Sequence, residues 1–256
     1  MTLKNILISS VLIFLYSFSF SQQRTIIIDS TVLYDGKLRP ALSATVETEG
    51  ERDLRKFIQH YYKKKDIDFD YHGNLLSAVK IAVPELSQQT MDLYIELIPK
   101  GENSATISCM MRYGYDIYIE KVNYPTEYLK LKKSYALMIK SYLQSFYEDE
   151  IDDLQDELKN VQKDKKKLVM HIRKDSRKMG KLNKKIYKKR KDITKTPEES
   201  NEVKIEVQEL EKEYNQYEKE VQSGNSKVKI IDNRILEINQ KLQIIQQKIG
   251  GISVGG

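Results

Sequence analysis

Along residues 147–193, and again along 203–249, apolar positions return at alternating intervals of four and three residues without a slip. The first run passes through Tyr147, Ile151, Leu154, Leu158, Val161, Leu168, Ile172, Met179, Leu182, Ile186 and Ile193. The second passes through Val203, Val207, Leu210, Tyr214, Tyr217, Val221, Val228, Ile231, Ile235, Ile238, Leu242, Ile245 and Ile249. Only Lys165, Asp175 and Lys189 in the first run and Gly224 in the second break the apolar seam. A repeat of 3.5 residues sustained this long keeps one stripe of a helix turned toward a partner helix, which is the coiled-coil pattern. Between the runs, Thr196 suits a helix N-cap, Pro197 the first helical position and Glu199 the third, which together make a capping box. The pattern therefore predicts an antiparallel two-helix coiled-coil hairpin over 147–249 with its turn near 194–197. Folding back there pairs seam residues whose numbers sum to about 396: Ile193 with Val203, Leu158 with Ile238, Tyr147 with Ile249. Forty-seven residues per arm at ~1.5 Å each would make it about 70 Å long.

Charge supports the same topology independently. Residues 148–157 hold seven acids and no base, and the segment the pairing brings alongside, 227–248, holds five bases against two acids. Residues 159–195 hold seventeen bases against three acids, and 198–220 hold nine acids against three bases. These sign changes match only when the arms run antiparallel. Each exposed pair is worth about 0.3–0.5 kcal/mol, so charge selects the topology while the apolar seam supplies stability. Lys165, Asp175 and Lys189 either fix the register at some cost in stability or reach water from a two-stranded seam. Gly224 predicts local softness or a kink in a continuous helix, because Gly costs about 1 kcal/mol against Ala in a helix interior.

Ahead of the hairpin the periodicity changes. Residues 25–34 are rich in β-branched side chains and end at the turn dipeptide Asp35-Gly36; Leu42, Ala44 and Val46 then alternate with polar neighbours. Leu54, Phe57, Ile58, Tyr61 and Tyr62 take helical spacing, with acids early and lysines late. Strands are expected over 75–83 (ended by Pro84), over 91–98 and 104–111 around a five-residue loop, and over 115–119. The order ββαβββ predicts an α+β domain over 22–125 with a mainly antiparallel sheet. From Tyr128 a helix should run unbroken into the first arm. Its early stripe, Tyr135, Ile139, Tyr142 and Phe146, is one residue out of phase with Tyr147 and Ile151, which turns the buried face by about 100°. Residues 126–146 thus read as a link whose partner changes from the sheet to the returning arm, and 250–256 as a flexible tail after Gly250-Gly251.

The N-terminus carries Lys4 as its only charge before Arg24, an apolar stretch over 6–20, and small residues Ser19 and Ser21 ahead of Gln22. A charged start, an apolar run and a small-x-small site predict a cleaved signal peptide, 1–21, and a periplasmic or extracellular product of a bacterial envelope. Cleavage lowers the formal charge from +6 to +5 through the loss of Lys4. Cys109 is the only cysteine and lies in a strand-like stretch, so it reads as a buried structural thiol. His60, His72 and His171 lack metal-ligand spacing, and the alternating Asp66, Asp68 and Asp70 lack the glycine and distal glutamate of a calcium loop. No phosphate-binding, dinucleotide-binding or nucleophile-elbow motif is present. No catalytic residue, metal or cofactor is assigned.

Nucleic acid is a poor fit to the basic stretch 159–195, where Tyr187 is the only aromatic. Tyrosines 113, 115, 118, 124, 128, 135, 142 and 147 gather where head and hairpin meet and suit a core or a contact surface. The expected function is that of an exported, non-enzymatic interaction or scaffold protein with a protein partner, with self-association through the coiled coil as a further expectation. The alternative is an envelope adaptor whose basic arm meets anionic lipid or polysaccharide; a third class is an enzyme with a site gathered by the head's tertiary structure. In plan the chain resembles bacterial envelope proteins with a small head and a coiled-coil hairpin, a resemblance of architecture that transfers no site residue.

Overall fold

The computed structural model describes residues 25–114, 116–192 and 197–255; the expected signal segment, Tyr115 and the cap residue Thr196 lie outside them. The chain divides into two compact units, one running to Glu150 and taking in Ile245–Gly256, the other formed by Ile151–Ile244. The fold is α+β: an N-terminal antiparallel sheet with its helices, followed by a long antiparallel helical hairpin.

In chain order the elements are β1 (Thr25–Ile26), β2 (Ile28–Tyr34), β3 (Lys37–Glu47), α1 (Glu51–Lys63), β4 (Asp70–His72), β5 (Leu75–Ile81), β6 (Met91–Pro99), β7 (Ser104–Arg112), α2 (Pro125–Asp192), α3 (Pro197–Gly250) and β8 (Val254–Gly255). Six strands form one antiparallel sheet in the order β2-β3-β7-β6-β5-β4. The turn between β2 and β3 places Asp35 and Gly36 both at positive φ, the conformation a tight two-residue hairpin demands.

Alternation along the strands makes the sheet two-faced. One face presents Leu42, Ala44 and Val46 of β3, Ile107 and Cys109 of β7, and Leu93, Ile95 and Leu97 of β6, all buried. Onto it pack α1, through Leu54, Ile58 and Tyr62, and the first turns of α2, through Leu131, Tyr135, Met138 and Ile139. Tyr135 is fully buried, and its hydroxyl donates to the Ile107 carbonyl at 2.6 Å, fixing α2 against β7. At the far end of this segment Tyr147 donates to Glu47 at 3.0 Å, and the Lys248 ammonium donates to the same carboxylate at 2.9 Å while lying over the Tyr147 ring.

Four details depart from the sequence expectation. The stretch 25–34 is interrupted at Ile27, which is buried, and β3 begins five residues before Leu42. β4 is a three-residue edge strand with no apolar alternation to betray it. The strand expected over 115–119 is reduced to a single bridge between Arg112 and Tyr118, because Gly114 and Asp116 both take positive φ and turn the chain out of extended geometry. The tail is not free: Val254 and Gly255 pair in parallel with Thr25 and Ile26, so backbone hydrogen bonding holds residues whose composition suggested fraying.

Candidate functional site

Along the hairpin every assigned seam residue among the described ones is buried or half-buried, whereas nearly all described positions between them are exposed; Ile193 lies outside the described residues. Leu182, Ile186, Val207 and Ile238 are the most enclosed in the hairpin unit, and Tyr147 and Ile245, which fall in the sheet unit, are buried as well. Ile151, Leu154, Leu158, Val161, Leu168 and Ile172 on α2, and Leu210, Val228, Ile231, Ile235 and Leu242 on α3, are half-buried, as a two-stranded seam requires. Pro197 is the first residue of α3.

Gly224 explains itself through its neighbour. A methyl group added there would lie 2.7 Å from Ile172 Cγ1 and 3.0 Å from Cδ1. The α3 helix is continuous through this position and the Ile172 side chain fills the space a β-carbon would occupy. What the sequence marked as a soft point is a close approach between arms, at the register of about 396.

The polar seam residues are partnered. Lys165 pairs with Asp232 at 2.5 Å across the arms, and Lys189 pairs with Glu206. Asp175 pairs at 3.6 Å with Lys178, which donates to the Tyr217 hydroxyl at 3.1 Å and lies 4.5 Å from the centre of its ring. Two flanking pairs, Glu157 with Arg234 at 2.6 Å and Arg190 with Glu211 at 2.5 Å, have opposite polarity, as the sign switch along each arm demands. The hydrogen bond to Glu157 and that to Glu237 raise the Arg234 pKa. Toward the turn, Lys185, Lys188, Lys189, Glu206, Glu209, Leu210 and Glu213 line a mixed-charge groove of about 530 Å³.

The sheet unit holds a polar cluster that sequence reasoning missed, on the face opposite α1 and α2. Asp92 and Arg112 are direct register partners on β6 and β7. Arg112 Nε donates to Asp92 Oδ2 at 3.0 Å and its terminal nitrogen to the Tyr94 hydroxyl at 2.7 Å, while Asp92 Oδ1 accepts the Lys80 backbone N–H at 2.9 Å. Lys80 has positive φ at the irregularity in β5, so Asp92 satisfies a donor the ladder cannot. Burial works against the Arg112 charge, but its bond to Asp92 and the adjoining Tyr94 outweigh it and move its pKa up. Tyr34 packs against Tyr94 at 4.8 Å between ring centres. Beside them Arg39 lies over Tyr118 and donates to Asp116 at 2.7 Å, a bond that lowers the Asp116 pKa. Across β2, β3 and β7, Ser30, Ser43 and Ser108 form a hydroxyl chain with links of 2.5 and 2.7 Å. Counting outward from the 99–103 loop would have paired Asp92 with Arg112; nothing local announces the rest.

Among the described residues no group of three or more His, Cys, Asp or Glu side chains could hold a metal ion, and Asp66, Asp68 and Asp70 are all exposed. Cys109 is buried in the sheet interior, and burial pushes its thiol pKa up to about 12, so it is held protonated. Of the tyrosines, 118, 128, 135, 142 and 147 are buried, and 113 and 124 are half-buried and stacked edge to face. The Tyr128 hydroxyl donates to Asp29, tying the start of α2 to β2. No helix among the described residues is long and apolar enough to cross a membrane. The chain matches no protein-family model, no curated protein and no solved structure at a significant level.

Proposed function

We propose that this chain is an exported, non-enzymatic interaction or scaffold protein that meets a protein partner through its sheet unit and displays a coiled-coil hairpin. The observation that best supports the reading is an apolar pair at the β2–β3 tip. Leu33 and Leu38 are direct cross-strand partners, and each is 70 % exposed. Charged groups flank the pair: Lys37 and Arg39, on either side of Leu38 in β3, both pair with Asp116. Contiguous exposed apolar groups rimmed by charge mark contact surfaces, whereas a lone exposed leucine does not. The N-terminal residues 1–21 support export, and a mature chain beginning at Gln22 is the expected product.

A photo-crosslinking amino acid placed at Leu38 in cells, followed by mass spectrometry, tests the reading. One or a few discrete protein adducts are expected, lost in the Leu33→Asp variant that retains native circular dichroism. Adducts unchanged by Leu33→Asp, or none, together with substrate turnover by the purified mature chain, would replace this reading with an enzymatic one.

A further inference from the structure

The hairpin sorts its basic residues by position. Sixteen Lys and Arg side chains lie on α2 between 159 and 191. Five of them, Lys165, Lys178, Lys185, Lys189 and Arg190, stand in the seam or on its flanks, where the acids of α3 also stand: Glu206, Glu211, Glu213, Glu218 and Glu220. The other eleven occupy the three outward positions of the heptad, and all are exposed. No acid occupies an outward position in this stretch. Lys159 and Lys167 pair with aspartates three residues back, and Lys191 lies over the Tyr187 ring. The remaining eight have no ion pair among the described residues. The cross-arm pairing that neutralises the seam edges therefore leaves a basic ridge of roughly 48 Å on the back of α2, of which Lys188 also borders the mixed-charge groove near the turn. The back of α3 is different: Glu202, Glu209 and Glu237 are interspersed with Lys212, Lys219 and Lys229.

We infer that the outward face of α2 over 159–191 is a docking surface for an acidic phospholipid bilayer. Charge complementarity selects an anionic partner along the whole ridge, and basic side chains near an anionic membrane surface each add to the attraction. Two further side chains on the same face select a bilayer over a soluble polyanion. Met170 and Tyr187 are 57 % and 62 % exposed among the lysines, and apolar and aromatic groups beside basic ones insert at headgroup level. The inference goes beyond the protein-partner reading and rests only on the hairpin, so a failure here leaves that reading standing.

The test is co-sedimentation of the mature chain with phosphatidylcholine vesicles with and without phosphatidylglycerol. Binding is expected only with phosphatidylglycerol, and it should weaken as salt shortens the screening length. Reversing Lys163, Lys174, Arg177 and Lys184 to Glu should lower affinity at least about tenfold, while reversing Lys204, Lys212, Lys219 and Lys229 on α3, an equal change in net charge, should change it far less. The chain has no tryptophan, so Tyr187→Trp installs a single reporter whose emission should shift to the blue on binding. Equal losses in the two charge-reversed variants, both still helical, would overturn the assignment. So would an unshifted emission from the Tyr187→Trp variant, or capture by soluble polyphosphate with vesicles left unbound.

Discussion

Two glycines on the hairpin show how a side chain's meaning depends on what faces it. Gly180 is exposed in mid-helix with no atom close to where a β-carbon would go, while Gly224 is buried against Ile172. Gly180→Ala should raise stability by about 0.8–1 kcal/mol, the difference in helix propensity. Gly224→Ala gains the same propensity but forces Ile172 from its place, and overpacking costs of about 1–3 kcal/mol are larger. Its melting temperature should therefore fall, and adding Ile172→Ala should reverse the sign of the glycine substitution, since the clash is then gone. At the other unit, Tyr135→Phe leaves the Ile107 carbonyl without its buried donor and should cost about 1–1.5 kcal/mol in denaturant melts.

Among the elements, α2 and α3 are held in register by seam shape and in orientation by charge. Reversing Glu157 alone to Arg should weaken the hairpin by about 0.5 kcal/mol, and Arg234→Glu added to it should restore most of the loss, because the pair is partly exposed. Spin labels at positions 158 and 238 should report a separation set by one helix-packing distance, about 8–10 Å between axes. The short β1–β8 ladder makes a separate claim. Removing residues 252–256 should leave the helices intact and strip hydrogen-exchange protection from the Thr25–Ile26 backbone; unchanged protection would show that β8 is not its partner.

Across the whole molecule, the groups with raised pKa values lie mainly in the unit that carries the sheet. Burial lifts the Cys109 thiol to about 12, and burial also lifts the Tyr128 and Tyr142 phenols to about 12, helped at Tyr128 by its bond to Asp29. Each folded pKa exceeds its unfolded value, so the folded state keeps protons that the unfolded state releases. Their contribution is complete below about pH 9 and is lost as pH rises toward 12. Thermal melts should show the sheet unit weakening over that window, and Cys109→Ala should blunt the part of the decline that begins near pH 9.

The hairpin and its direction were legible because local physics determines them. A helix presents the same face every seven residues, so seam and charge switch are both read along one dimension, and Ile172 opposite Gly224 needed only the position of the turn. The β6–β7 pairing followed from its loop in the same way. Tertiary structure alone decided the rest. Gly224 became a packed position only with Ile172 against it, and β4 and β8 became strands only because a partner backbone offered hydrogen bonds. The Arg39, Arg112 and Tyr118 cluster exists because residues far apart in the chain converge on one sheet face. The basic back of α2 likewise became visible once cross-arm pairing showed which lysines α3 neutralises and which it leaves facing out.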